Sequence, residues 1–498
     1  MTNSCVQYHE ETSYDRQDMS GHYLDWANQP DVYKEYPGIA PLPLPREVDL
    51  PKRPLSSLIK ERAEKQGPLD ITGLSRLLLL TNTLTAKARH PGGDFFYRSA
   101  ASAGALYPTE IYVATCGIDG LEDGLYHFAI HRHGLCPLRQ GHFSSRIREM
   151  AQGRGNKAPK LTFFFTGIFF RSAWKYRARS YRYHLLDTGH VMENLALASK
   201  AEALPVNSCY DFDDRKVNRF LGLDETKEVT LAVAHVLGNE TVPESKEEEV
   251  PELSEGAREA SVVSAAEVDY PAIRAIHQAG AEIVKGAIRE AERVQNLGVT
   301  PEGWTRMLDL SAWPEIADYP DALFQRRSKR NFVRKDLSRA QLTAFLEALC
   351  SKDAGERESV YERSVATGFL IHRVEGMAEG FYLLDPAHRA IGMVAAGSFT
   401  GRMTRICLDQ MWLANAAVHF LFLANLDVVD RTWGARGYRY AMLTAGRMGQ
   451  RLYVAATAMG LGCCGIGALY DGEAAALLKL NEASRLLYLV AVGAVKKM

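Results

Sequence analysis

Four segments carry residue types that chemistry needs. In Phe96-Tyr97-Arg98-Ser99-Ala100-Ala101-Ser102-Ala103-Gly104-Ala105-Leu106-Tyr107-Pro108-Thr109-Glu110, small residues and one glycine crowd in just before the strand-like Glu110-Ile111-Tyr112-Val113. Side chains of one carbon or none let a backbone pass close to a flat ligand and offer it N–H groups. The same composition also makes a plain tight turn. Gln325-Arg326-Arg327-Ser328-Lys329-Arg330-Asn331-Phe332 combines cations with a hydroxyl. That is a donor set for a phosphate, or a charged helix end. Gly460-Leu461-Gly462-Cys463-Cys464-Gly465-Ile466-Gly467 holds four glycines in eight residues. It suits a helix C-cap followed by close backbone approach, of which a helix-ending loop needs only the first glycine. Trp174-Lys175-Tyr176-Arg177-Ala178-Arg179-Ser180-Tyr181-Arg182-Tyr183 sets an amine beside a phenol. It reads as a basic surface loop or, with the lysine desolvated, as an acid–base pair.

The elements that must position these segments occur twice. Tyr181-Arg182-Tyr183-His184-Leu185-Leu186-Asp187-Thr188-Gly189 recurs as Tyr438-Arg439-Tyr440-Ala441-Met442-Leu443-Thr444-Ala445-Gly446. At almost the same offset, Gly120-Leu121-Glu122-Asp123-Gly124-Leu125-Tyr126 answers Gly376-Met377-Ala378-Glu379-Gly380-Phe381-Tyr382. The chain is a tandem duplication. Each copy predicts an opening helix (Leu69–Leu80; Arg339–Leu349), a hairpin and an apolar strand (Leu161–Phe170; Val418–Ala424). A long helix (Tyr183–Ala203; Tyr440–Met459) and a final strand (Val229–Leu237; Leu487–Val495) follow. This is an α+β layout, with helices on a mainly antiparallel sheet. The expected divisions are an extended lead over 1–54, a first domain over 55–238, an acidic linker over 239–270 and a second domain over 271–498. The linker contains Glu244-Ser245-Lys246-Glu247-Glu248-Glu249 and is expected to be solvated, with helical periodicity resuming over Ala272–Val294.

The loop resembles the PSAGALYP segment of SagB/ThcOx-type flavin dehydrogenases in the nitroreductase superfamily, with Ala101 in place of the leading proline. Lys175 to Tyr183 is similar to their KYxxRxYRY segment, whose Lys-Tyr pair is catalytic. Gln325 to Phe332 resembles the nitroreductase phosphate motif, and Gly460 to Gly467 a second flavin-contacting segment. Tyr8-His9-Glu10-Glu11-Thr12 and Trp26-Ala27-Asn28-Gln29-Pro30 resemble the family's N-terminal lead. The resemblance implies FMN as cofactor. It would be bound by Arg98, Ser99, Ser102, Ala103 and Gly104 from the first copy. From the second it would draw on Arg326, Arg327, Ser328, Arg330, Gly465, Ile466, Gly467 and a terminal cation, Lys496. Lys175 and Tyr176 would be catalytic, removing hydrogen from an azoline of a peptide-derived heterocycle in natural-product maturation. His190 reads as a structural, helix-facing histidine.

Set side by side, the copies have diverged in complementary ways. Opposite Arg326 to Arg330 the first has roughly Ile59-Lys60-Glu61-Arg62-Ala63-Glu64, and opposite the glycine segment Ala203-Leu204-Pro205-Val206-Asn207-Ser208-Cys209-Tyr210. The second carries Ala366-Thr367-Gly368-Phe369 for the small-residue loop and Thr432-Trp433 for the Lys-Tyr pair. Family members are typically dimers with flavins at the subunit interface. The expectation is therefore an intramolecular pseudo-dimer with one intact flavin site, open to further homodimerisation.

Composition bounds the rest. With 59 basic against 60 acidic residues there is no global field to attract nucleic acid or an anionic membrane. Eight cysteines form no CxxC pair, and no metal site is expected. Met1 to Asn28 is polar and no apolar run is long enough to span a bilayer, so a soluble cytoplasmic protein is expected. Two alternatives stay open. One is an NAD(P)H-dependent flavin reductase of nitro, quinone or dehydroamino-acid substrates. The other is a non-catalytic scaffold or peptide-binding partner within a modifying complex, alongside a cyclodehydratase or carrier protein.

Overall fold

The runs Leu161-Thr162-Phe163-Phe164-Phe165 and Val418-His419-Phe420-Leu421-Phe422-Leu423 do not alternate apolar with polar. A strand of that kind has both faces to bury, which requires helices on each side of the sheet. The computed structural model shows this arrangement twice. It describes the chain apart from residues 1–3, 20, 22, 61–68, 91–92, 152–156, 242–252, 254–256, 258, 285–295, 308, 352–359 and 497–498. Two compact units divide the chain: Tyr23–Pro51 with Arg62–Arg274 (the first-repeat unit), and Met1–His22 with Lys52–Glu61 and Ala275–Met498 (the second-repeat unit).

The first-repeat unit contains β1 (Leu42–Pro43), a hairpin of β2 (Leu84–His90) and β3 (Gly93–Arg98), then β4 (Thr109–Thr115), β5 (Gly124–Ala129), β6 (Gly134–Gln140), β7 (Lys157–Ile168), β8 (Val206–Cys209) and β9 (Glu228–Thr241). Seven of these form an antiparallel sheet in the order β1-β6-β5-β4-β7-β9-β8. The long helix Ser180–Ala201, buried along its whole length, packs on β4, β7 and β9 and against helices Ile71–Thr81 and Phe169–Tyr176. The other face packs Tyr112, Phe164 and Val233 against Ile147, Met150, Val217 and Phe220 of two short helices.

The second-repeat unit contains β10 (Thr305–Arg306), β11 (Ala366–Ile371), β12 (Gly380–Asp385), β13 (Ala390–Ala396), β14 (Val418–Asn425), β15 (Gly462–Ile466) and β16 (Ser484–Gly493). Their order, β10-β13-β12-β11-β14-β16-β15, repeats the first sheet strand for strand. Helix Arg339–Cys350 starts at a capping box between Ser338 and Gln341, and Asn425 caps helix Leu426–Trp433 by accepting from Val428 N–H at 3.0 Å. Both pack on the buried helix Arg436–Ala458.

Several sequence expectations need correction. Phe169 and Phe170 belong to a helix rather than to the strand before it. Gly460 takes the left-handed φ of +68° just past the helix, as a C-cap would, and the segment then continues as edge strand β15. The lead is not extended throughout: Cys5–Glu11 is a helix capped by Ser4, its His9 bonding the Tyr438 hydroxyl at 3.0 Å and Asp471 at 3.1 Å. Its first and last parts also fall in the second-repeat unit. The expected linker is partly packed. Ala257 and Ala260 are buried, and Ser261 Oγ donates to Glu228 at 2.7 Å. Its acidic run lies outside the described residues. A helix covers Pro271–Ala279, and the remainder of the expected Ala272–Val294 helix falls largely outside them too.

Register corrects one repeat correspondence. Ala366-Thr367-Gly368 begins β11, the counterpart of β4, so it does not answer the small-residue loop. The counterpart of that loop's Ala103–Ala105 turn is the turn Val360–Ser364.

Candidate active site

The small-residue loop is a short 3-10 turn, Ala103–Ala105, running straight into β4. Gly104, Ala105 and Tyr107 all take positive φ, at 64°, 55° and 48°. Two of the three are not glycine, so the surrounding structure must hold the loop in place. It does so through the long helix. Buried Asp187 accepts from Ser102 Oγ at 2.6 Å and from Ala103 N–H at 3.1 Å, and Ser102 Oγ accepts from Tyr107 N–H at 2.9 Å. Burial pushes the Asp187 carboxyl up to about 7, against the lowering effect of those two donors.

Arg98 and Ser99 support the loop from beneath. Arg98 donates to the Val32 carbonyl at 2.6 Å, its guanidinium 4.7 Å from the Tyr107 ring centre, and its N–H donates to the Tyr107 hydroxyl at 3.1 Å. Ser99 is fully buried and accepts from Thr83 N–H at 3.2 Å. Deeper still, Glu110 is ion-paired with Arg171 and bonded to His127 at 2.9 Å.

Lys175 and Tyr176 close the last turn of helix Phe169–Tyr176, which stops where Arg177 takes φ 51°. Both are half-buried. The Tyr176 ring lies 4.4 Å from that of Tyr183, and Lys175 Nζ is 5.5 Å from the Tyr176 ring centre. The pair converges on the loop. A Cβ added at Gly104 would lie 2.8 Å from Tyr176 Oη and 3.4 Å from Lys175 Nζ. Thus Gly104, Lys175 and Tyr176, chosen from segments far apart in sequence, meet at one spot. His190 is buried in the long helix.

In the second-repeat unit the cationic segment lies along β15. Lys329 N–H donates to the Cys463 carbonyl at 2.9 Å, and Ser328 forms a parallel bridge with Cys463. Tyr453, from the long helix, joins the two segments. Its hydroxyl bonds Ser328 Oγ at 2.9 Å and accepts from Gly465 N–H at 2.7 Å, and buried Arg326 stands 5.4 Å over its ring. Arg330 and Ser328 are exposed, with the Arg330 guanidinium 5.8 Å from the Trp412 ring. Arg327 donates to the Phe324 carbonyl at 3.0 Å. Lys496 is exposed, and its N–H donates to the Asn331 carbonyl at 3.2 Å. The glycines here serve packing. A Cβ at Gly465 would stand 1.8 Å from Tyr488 Oη, and one at Gly462 2.2 Å from Val495 Cγ1. Ile466 is in the core, and Gly467 is half-buried. Arg326, Ser328 and Arg330 supply two guanidinium groups and a hydroxyl, the donor types a phosphate takes.

Sequence reasoning missed Asp187 and Tyr453, the residues that fix the two segments. Asp187 left one signal, a carboxylate where the second copy has Thr444 in an otherwise matching helix. Tyr453 left none.

The Nitroreductase family profile matches residues 74–238 and 323–494, once in each repeat. The nitroreductase-designated protein MJ1384 of Methanocaldococcus jannaschii is 29% identical over 174 residues, 34% of this chain and 87% of that protein. The microcin B17-processing protein McbC of Escherichia coli is 26% identical over 142 residues, 27% of this chain and 52% of McbC. A solved structure of a nitroreductase-designated protein from Anabaena variabilis matches 99% of this chain and 100% of its own, with a TM-score of 0.77 at 24% identity. That likeness shows a shared fold.

Proposed function

The chain belongs to the nitroreductase family of oxidoreductases, and we propose that it is an FMN-dependent dehydrogenase of a peptide or peptide-derived heterocycle, of the azoline-to-azole type. One observation carries the reading: the convergence of Lys175 and Tyr176 on Gly104 in one repeat, where the other has Thr432 and Trp433. Similarity to McbC, a microcin B17-processing protein by name, supports it.

Desaturating an azoline removes a proton from Cα and a hydride from Cβ. Bound FMN would supply the two-electron acceptor. Lys175 Nζ would take the Cα proton, and Tyr176 Oη, on the same side of the loop, would orient the ring or pass that proton onward. Arg326, Ser328 and Arg330 would hold the phosphate. The turn at Ser102, Ala103 and Gly104, fixed in position by Asp187, would offer close backbone approach. All eight cysteines are free thiols, in keeping with a reducing, cytoplasmic setting. No helix among the described residues is long and apolar enough to cross a membrane.

The direct test is Lys175→Ala. The variant should retain flavin absorbance and lose turnover of an azoline-containing peptide. Loss of colour would make Lys175 a structural or cofactor-holding residue instead. A second reading, an NAD(P)H-dependent flavin reductase, rests on the similarity to MJ1384. Steady NADPH oxidation with menadione that survives Lys175→Ala would favour it.

A further inference from the structure

We propose that Cys116, Asp123 and His142 form a divalent metal site, with zinc as the matching ion. The three residues stand at one end of the β4-β5-β6 meander. Cys116 follows the last residue of β4, Asp123 precedes the first of β5, and His142 lies just beyond the end of β6. The ladders that pair Thr115 with Gly124 and Gly124 with Gln140 bring these strand ends side by side.

The donor spacing is that of a tetrahedral site. His142 Nδ1 lies 3.4 Å from Cys116 Sγ and 3.1 Å from Asp123 Oδ2, and the three donor atoms all fall within 4.8 Å of one another. Ordinary zinc bond lengths in a tetrahedral arrangement place sulfur and nitrogen about 3.5 Å apart, and nitrogen and oxygen about 3.4 Å. One nitrogen thus faces both other donors near the required separations, and the half-exposed His142 ring has room to adjust. A thiolate, a carboxylate and a neutral imidazole also make the charge and softness set that zinc prefers.

The surroundings orient the ligands. Asp123 Oδ1 accepts from Gly117 N–H at 2.6 Å, which leaves Oδ2 directed at the histidine. The Asp123 carbonyl accepts from Gly141 N–H at 2.9 Å, and Cys116 N–H donates to the Lys160 carbonyl at 2.9 Å. Such outer contacts fix ligand geometry in metal sites. Three protein donors leave the fourth position for water.

The duplication supplies an internal comparison. At the equivalent strand ends the second repeat has His372, Glu379 and Ser398, with Ser398 Oγ donating to Glu379 at 2.9 Å. The thiol is gone, a hydroxyl replaces the imidazole, and the Arg373 guanidinium lies 2.5 Å from His372 Nε2. Among the described residues, the set with a thiol and an imidazole donor is therefore that of the first repeat.

The test uses the full-length, flavin-loaded protein stripped with a chelator, then titrated with Zn²⁺ against a chromophoric chelator. Cobalt substitution serves as a spectroscopic probe. One zinc per chain is expected, along with a thiolate-to-cobalt charge-transfer band. Cys116→Ser and His142→Ala should each weaken zinc binding by about 100-fold or more and Cys116→Ser should abolish the band, while His372→Ala leaves both unchanged. Unchanged flavin content and circular dichroism in the variants would show that they fold. Zinc binding that survives Cys116→Ser, or cobalt loading without the thiolate band, would overturn the assignment.

Discussion

Asp187 places a buried carboxyl beneath a loop whose conformation it alone, among the described acidic side chains, engages at Ser102 and Ala103. Its carboxyl is pushed from its ordinary 3.8 to about 7 by burial. A raised folded pKa means that the folded state holds the proton more tightly than the unfolded one. The associated stability is therefore fully present below pH 4 and is lost as pH rises toward 7. The shift corresponds to an upper figure on the order of 4 kcal/mol. Asp187→Asn keeps one acceptor oxygen and removes the titration. Urea unfolding of the wild type should show stability falling between pH 4 and 7 from this group, and the Asn variant should show a flatter profile over that window. Parallel profiles for the two proteins would mean that Asp187 does not titrate there.

At the scale of elements, one side chain of the long helix ties the cationic segment to β15. Tyr453 on helix Arg436–Ala458 is bonded to Ser328 before β11 and to Gly465 within β15. Tyr453→Phe leaves the Gly465 N–H without its acceptor and frees Ser328. Denaturant unfolding should show a loss of about 1–2 kcal/mol, and FMN should be retained more weakly if Ser328 holds its phosphate. Affinity unchanged alongside lowered stability would limit Tyr453 to a structural role. The repeat, the order of helices and strands and the long central helices were legible in the sequence, because apolar periodicity and the doubled Tyr-Arg-Tyr motif survive divergence. Local chain direction was not. Gly462 to Ile466 carries no strand signal because glycine is a poor strand former, yet here the neighbours Val495 and Tyr488 need the missing side chains' space. The loop's counterpart was misplaced because Ala366-Thr367-Gly368 looks alike in composition, whereas strand pairing points to Val360–Ser364, with Tyr361 against Tyr440 at 4.9 Å. The Cys116–Asp123–His142 cluster spans 26 residues without a motif and emerges only when the meander folds.

For the whole molecule, duplication frees each copy to lose what the other keeps. The cationic, hydroxyl-bearing segment Arg326 to Arg330 exists in one repeat, while at the opposite sequence position the first copy carries Glu61 and Glu64, which repel a phosphate. The strained small-residue turn and the Lys175–Tyr176 pair exist in the other repeat, and the second has Tyr361, Thr432 and Trp433 in their place. The two sheets share one strand order while the residue sets proposed for flavin phosphate and for catalysis are each present in one repeat. The expected ratio of FMN to chain in purified holoprotein, from flavin absorbance after denaturation against protein mass, is one. Arg326→Ala with Arg330→Ala should abolish that single equivalent rather than halve a pair, because the first copy's sequence at the opposite position, Lys60-Glu61-Arg62-Ala63-Glu64, lacks the serine and carries two acids. A ratio near two, or a half-occupied double variant, would show that each repeat binds flavin by itself and would remove the basis for a single site per chain.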